Sequence, residues 1–176
     1  NWHKSTTALT SLQWEVGDDC YGDFIRKEFL RSHVDDSLLQ TSKTQKTGIS
    51  LSFTDEKDRS FLTYRGTNES LHIDAVDIEK VKDASHIHVT GYAGSSNHDS
   101  YLSFLKRMKE ETQTSVSFDL GWDSTGEWKQ EIYQLFPYID ILFMNETEAQ
   151  HYARKEDVRE AALDFAAYCG LAVKNH

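Results

Sequence analysis

Asn145-Glu146-Thr147-Glu148 follows directly on the apolar run Ile139-Asp140-Ile141-Leu142-Phe143-Met144 and opens a helix-prone segment. This puts an amide and a carboxylate where a strand meets a helix. In a parallel α/β sheet, ligands gather at the carboxyl ends of strands. Two chemistries fit the spacing. In one, Asn145 is an N-cap and Glu148, three residues on, completes a capping box. In the other, the helix N-terminus favours an anion and the carboxylate holds a water of the octahedral shell of Mg²⁺. The two roles are compatible.

Other residues able to do chemistry are fewer. Asp119 ends a strand-like run and reads as a turn residue or a ligand contact, and Gly91-Tyr92 ends another such run. Asp18 and Asp19 read as turn and cap residues. His86 and His88 share one face of a strand, but no third ligand is near in sequence, so packing or surface exposure outweighs a metal site. Trp122 and Trp128 carry rings able to stack on a ligand ring, Trp128 being the one read as core. Lys106 to Glu111 reads as a solvated helix face. Neither a Gly-x-Gly-x-x-Gly turn nor a Walker-type phosphate loop is present.

The elements that must position these residues alternate along the chain. Ala8, Leu9 and Leu12 predict a short helix within residues 1–14, and small and acidic residues from Val16 to Gly22 predict a tight turn. A helix over Asp23 to Ser32 presents Phe24, Ile25, Phe29 and Leu30 as one apolar face. Ile49, Leu51 and Phe53 alternate with Ser50 and Ser52, the period of a half-buried strand. Phe61 to Tyr64 returns after a polar turn, which makes a hairpin. From residue 74 the spacing predicts a helix over 74–83 and a strand from Ser85 to Thr90. A loop through Gly94 and a helix over 98–111 burying Leu102, Leu105 and Met108 come next. Ser115 to Phe118 is the next strand. A helix over 126–136 burying Trp128, Ile132 and Leu135, closed by Pro137, leads to a strand over 139–144. A helix over 155–169 stacks Val158, Ala162, Phe165 and Cys169, and a further strand begins at Leu171. Successive strand–helix units predict an α/β fold, a parallel sheet with right-handed crossovers and covering helices. Gly91-Tyr92, Asp119 and Asn145 then fall on one edge.

Bulk properties exclude some functions. The 176 residues suit one sizeable domain, or one with a small appendage. A net charge of −10 argues against nucleic-acid binding through a general positive field. No apolar run approaches the ~20 residues of a membrane helix, and the N-terminal residues lack the apolar core of a signal peptide. Cys20 and Cys169 are far apart and make no metal or redox motif, so a reduced, cytoplasmic setting is expected.

Val16-Gly17-Asp18-Asp19-Cys20-Tyr21-Gly22, Thr47-Gly48-Ile49-Ser50, Gly66-Thr67-Asn68, Val89-Thr90-Gly91, Asp119 and Asn145-Glu146-Thr147-Glu148-Ala149 occur in this order. The series resembles the ribokinase-like (PfkB) carbohydrate kinases over nearly the whole chain. The resemblance implies a three-layer, Rossmann-like sheet with a small β lid. Residues 44–64 would be the lid, and 1–43 with 65–176 an incomplete core. It implies transfer of the γ-phosphoryl group of ATP to a sugar hydroxyl, with a nucleoside kinase or a non-catalytic sugar-binding module as alternatives. Asn145 and Glu148 would serve ATP phosphates and Mg²⁺, with Glu148 the metal-linked residue. Gly91, Tyr92 and Asp119 would face the sugar, and Ser50, Ser52 or Arg59 of the lid would reach it. Pairing of lids between two subunits is a further implication. Three departures stand out. The family's N-terminal Gly-Gly element is not visible, and Trp14 runs almost directly into the Val-Gly-x-Asp turn where a strand is usual. Asp119-Leu120-Gly121-Trp122-Asp123 replaces the Asp-x-Asn-x-Arg of some members. The Gly-x-Gly-Asp bearing the catalytic base is expected beyond His176.

Overall fold

A computed structural model describes residues 10–11, 14–55, 59–69, 72–92, 97–123, 125–169 and 171–174. The chain divides into two units, Asn1–His72 and Ile73–His176.

In the first unit, β1 (Thr10–Ser11) replaces the helix expected there; residues 1–9, 12 and 13 of that expectation lie outside the described residues. β2 (Trp14–Gly17), α1 (Cys20–Arg31), β3 (Val34–Asp35) and β4 (Leu39–Ser42) form a β-α-β unit. β1 pairs with β3 and β2 with β4, both in parallel. The strand before the Val-Gly-x-Asp turn is therefore present, contrary to the sequence reading. Four residues, of which Val16 and Gly17 are buried, show no alternation by which to be recognised without their partner. On α1, Phe24 and Leu30 are exposed in place of the expected buried face.

Asp19 is the hub of this unit. It caps α1 by accepting from the Tyr21 and Gly22 amides at 3.1 and 2.9 Å. It also accepts from the Thr47 amide at 2.8 Å and the Thr47 hydroxyl at 2.7 Å, and Thr47 Oγ1 in turn accepts from the Gly17 amide. Hydrogen bonds from Gly22 and then Thr47 hold its carboxyl at about 2, below the ordinary 3.8. A carboxylate with a depressed folded pKa stabilises the fold above its unfolded pKa, and this contribution is lost as pH falls through the folded value. Asp19→Ala should therefore cost about 1–2 kcal/mol at neutral pH, with the gap to wild type closing as pH falls from 3.8 to about 2. Urea unfolding at pH 7 and pH 3 measures both; a gap independent of pH would contradict this account.

β5 (Ile49–Thr54) and β6 (Arg59–Tyr64) form the expected antiparallel hairpin, with Leu51 opposite Leu62 and Ile49 opposite Tyr64. Residues 56–58 of its turn and the side chain of Arg59 lie outside the described residues. The alternation predicted one buried face. Instead Leu51, Phe53, Leu62 and Tyr64 are 52–64% exposed, as is Phe61 on the other face. A two-stranded ribbon has no layer of its own to pack on.

The second unit is the predicted parallel sheet. A 3₁₀ turn at Ile73–Ala75 and α2 (Ile78–Val81) replace the helix over 74–83, split where Asp77 caps α2. Then come β7 (His86–Val89), α3 (His98–Glu111), β8 (Ser115–Asp119), β9 (Ile141–Met144), α4 (Glu146–Ala153), α5 (Val158–Ala166) and β10 (Leu171–Lys174). The strand order is β10-β9-β8-β7, every neighbour parallel. α3 has the predicted bounds, with Leu105 and Met108 buried. α5 is shorter than the helix over 155–169, beginning after the Asp157 cap, and buries Ala161 where Ala162 was expected. The helix over 126–136 does not form; two 3₁₀ turns, Gln130–Gln134 and Phe136–Tyr138, take its place, with Pro137 inside the second.

Period-two alternation sends Val89, Val116, Phe118, Leu142 and Met144 into the core against Leu105, Met108, Ile132, Leu135 and Phe165. Each of these large side chains at full burial contributes about 1.5–3 kcal/mol. His86, His88, Ser115, Ser117, Asp119, Ile141 and Phe143 take the other face. Asp140 locks the start of β8 to β9, its carboxylate accepting from the Val116 amide at 2.8 Å while its amide donates to the Val116 carbonyl.

Candidate functional site

Three parallel strands end side by side, and their last residues bring together most of those singled out in the sequence. Asp119 lies in register with Phe143, and the Leu120 amide donates to the Phe143 carbonyl at 3.2 Å. β9 then passes into α4 at Asn145.

There the capping box is complete. Asn145 Oδ1 accepts from the Glu148 amide at 2.8 Å, and Glu148 Oε2 accepts from the Asn145 amide at 2.9 Å. Glu148 is only 6% exposed. Burial pushes its carboxyl above the usual glutamate range, and the negative charge of Asp119 pushes the same way against the Asn145 hydrogen bonds. Among the described residues no lysine or arginine pairs with Glu148 or Asp119. Two carboxylates thus share one sheet edge, and no cation among the described side chains pairs with them.

Gly91 and Tyr92 lie just past the end of β7. Gly91 is exposed with φ +84, and its carbonyl accepts from Asn97 Nδ2 at 3.4 Å. The Tyr92 ring turns into the core, edge-on to Tyr101 and Phe118, and its hydroxyl meets His98 Nδ1 at 3.1 Å. Burial foremost raises its pKa. Residues 93–96 of the loop lie outside the described residues.

His86 and His88 are spent on neighbouring serines: His86 bonds Ser115 and Ser117 at 2.8 and 2.7 Å, and His88 bonds Ser117 at 2.8 Å. No group of three metal-ligating side chains stands together among the described residues.

The segment after Asp119 was undervalued in the sequence. Asp119 Oδ1 accepts from the Gly121 amide at 3.3 Å, and Gly121 takes φ +65, which a side chain would resist. Asp123, 4% exposed, accepts from the Thr125 amide and hydroxyl at 2.9 and 2.7 Å and from the Trp128 amide at 2.8 Å. Burial alone would raise its carboxyl, but these hydrogen bonds outweigh burial and hold it below the usual range. Trp128 sits at φ +46, outside the ordinary range for a bulky residue. Its ring stacks on His151 at 4.5 Å and meets Trp122 and Tyr152 edge-on, each at 4.9 Å. The Tyr152 hydroxyl is buried without a hydrogen-bond partner among the described residues. Burial, then the charges of Asp123 and Glu148, raise its pKa, so it stays a donor. The available signal was Asp123-Ser124-Thr125-Gly126, a run of residues that build Asx and Ser/Thr turns.

Comparisons with known proteins agree on one group. A model of the pfkB family carbohydrate kinases matches residues 8–168. An uncharacterised sugar kinase of Archaeoglobus fulgidus is 28% identical over 154 residues, 87% of this chain and 60% of that protein. An adenosine kinase structure from Sinorhizobium meliloti superposes with TM-score 0.77 at 23% identity, covering 93% of this chain and 52% of that one. A candidate ribokinase II from E. coli, solved with ATP and Mg²⁺, gives TM-score 0.76 at 20% identity, covering 94% of this chain and 56% of that one. The fold is thus ribokinase-like, and the chain spans no more than 60% of the length of any of these three proteins.

Proposed function

Because the chain belongs to the PfkB family of carbohydrate kinases, we propose that the protein transfers the γ-phosphoryl group of ATP to a carbohydrate hydroxyl. The observation that carries the reading is the Asp119–Glu148 edge. It joins a buried capping-box carboxylate, raised by burial and by a like charge, to a helix N-terminus. Mg²⁺ suits such an edge, since it keeps several waters and takes one or two carboxylates plus substrate phosphates. A bound dication would offset both carboxylates, while the first amides of α4 favour phosphate. Phosphoryl transfer needs mainly positioning and charge neutralisation, which this edge is suited to supply.

In this reading Asn145 and Glu148 hold the Mg²⁺–phosphate edge. Asp119 and Gly91 face the acceptor, and Tyr92 contributes through its backbone, its ring being spent in the core. The β5–β6 hairpin is the lid of a core made by residues 1–43 and 65–176, and no described residue is assigned as the general base. The exposed Leu51, Phe53, Leu62 and Tyr64 face of the hairpin supports lid pairing between two subunits. The expected setting is cytoplasmic; among the described residues no helix is long and apolar enough to cross a membrane.

Coupled ADP-release assays on the protein expressed from its complete coding sequence test the proposal, with sedimentation in parallel. Sugar-dependent, Mg²⁺-dependent ADP release and a dimer dispersed by Leu62→Lys are expected. Sugar binding without turnover would make it a non-catalytic module, and faster turnover of nucleosides a nucleoside kinase. A monomer would remove the lid pairing.

A further inference from the structure

We propose that Trp122, braced by Asp123 and Trp128 after the end of β8, is an acceptor-recognition platform that receives the C–H face of a sugar ring. The inference rests on the kinase reading above and names a specificity residue within it.

Four observations carry it. Trp122 follows the carboxyl end of a parallel strand by three residues, at the edge where such sheets bind ligands. Its side chain is 59% exposed, although large aromatic rings gain most by burial. The scaffold beneath it is rigid: Asp123 is buried and accepts three hydrogen bonds from within the loop, one of them from Trp128. Trp128, held at φ +46, is braced by His151 and Tyr152 and meets the Trp122 ring edge-on at 4.9 Å. A bulky residue persists in that backbone region only where its surroundings over-determine it, and such strain gathers at ligand clamps. The strain and the buried carboxylate together fix where an exposed indole stands.

The chemistry of the occupant follows from the neighbours. A sugar ring has a face of C–H bonds, weakly positive, which matches the negative face of an indole, and a rim of hydroxyls that need acceptors. Asp119, two residues before Gly121 and hydrogen-bonded to its amide, offers a carboxylate on the same segment. An aromatic face and an acidic acceptor side by side suit a neutral polyhydroxylated ring. They do not suit an anionic acceptor that brings no cation of its own, which Asp119 would repel.

The test uses the protein from its complete coding sequence, with ribose, fructose and glucose as acceptors under saturating ATP and Mg²⁺. Trp122→Ala should raise the KM of the preferred sugar about tenfold or more while the KM of ATP stays within about twofold. Trp122→Phe should restore most of the loss, which a folding defect would not allow. Sugar added without ATP should change the intrinsic tryptophan fluorescence of the wild type, and this change should fade in Trp122→Phe. An unchanged sugar KM in Trp122→Ala overturns the platform while leaving the kinase reading intact. A rise confined to the KM of ATP also overturns it, placing a nucleotide ring there instead. A wild type that phosphorylates none of these sugars overturns the platform and the kinase reading together.

Discussion

Glu148→Gln should lower Mg²⁺-dependent turnover by about 10–100-fold and leave the stability of the second unit within about 0.5 kcal/mol of wild type. The two readouts separate because the side chain has two tasks of different chemistry. As the partner in a capping box, Glu148 needs only an oxygen that accepts from the Asn145 amide, and glutamine supplies one. As a holder of Mg²⁺-bound water it needs negative charge, which glutamine lacks. Removing a buried charge raised by desolvation and by Asp119 also relieves a folding penalty, so the variant should not melt lower. Because Mg²⁺ needs the deprotonated form, wild-type Mg²⁺ affinity should rise with pH to a midpoint above that of an ordinary glutamate, a dependence the variant should lack. The measurements are a Mg²⁺ titration of the coupled assay at several pH values and a thermal melt. Unchanged turnover and Mg²⁺ dependence would leave Glu148 as a helix cap and nothing more.

The second large effect concerns Gly22. In an open helix position Gly→Ala stabilises by about 1 kcal/mol, so helix propensity predicts a gain. The packing predicts the reverse. A Cβ at Gly22 would lie 2.2 Å from the Gly17 carbonyl oxygen, a backbone atom with no rotamer to escape into. Relief would require α1 to lift off the end of β2. That would stretch the hydrogen bond from the Gly22 amide to the Asp19 carboxylate and, through Asp19, the Thr47 contacts. Overpacking of this kind costs about 1–3 kcal/mol or more, and the disturbed hub adds to it. Gly22→Ala should therefore destabilise the first unit by about 3 kcal/mol, seen as a large drop in the urea midpoint. A variant as stable as wild type, or more stable, would show that the junction yields and that propensity governs there.

How much of this was legible in the sequence varied along the chain. From residue 98 onward the alternation of strand and helix was readable because each element carries its own signal. α3 has four turns with Leu105 and Met108 inward, β8 alternates apolar with polar residues, and β9 is a continuous apolar run. The hairpin was readable for the same reason. The short strands of the first unit were not: Thr10–Ser11, Val34–Asp35 and Leu39–Ser42 are strands only through their partners. The helix expected over 126–136 had good apolar spacing. It was defeated by the carboxylate of Asp123, which holds the Trp128 amide where the backbone turns left-handed, inside what would have been the helix's first turn.

The α/β class, the parallel sheet from residue 86 onward, and the junction at Asn145-Glu146-Thr147-Glu148 with its capping box are all encoded in the order of residues. These rest on local energies, hydrogen bonds and apolar periodicity within a dozen residues, which the order of side chains encodes directly. That the Tyr92 ring turns inward while Trp122 stays outside follows from the packing of distant elements. The same packing sets Asp119 close enough to Glu148 to raise its pKa, and lets the Asp123 clamp brace an aromatic cluster beside them. Each of these depends on groups brought together from separate strands and helices. Electrostatic coupling and ring packing act through space, and spacing along the chain does not encode them.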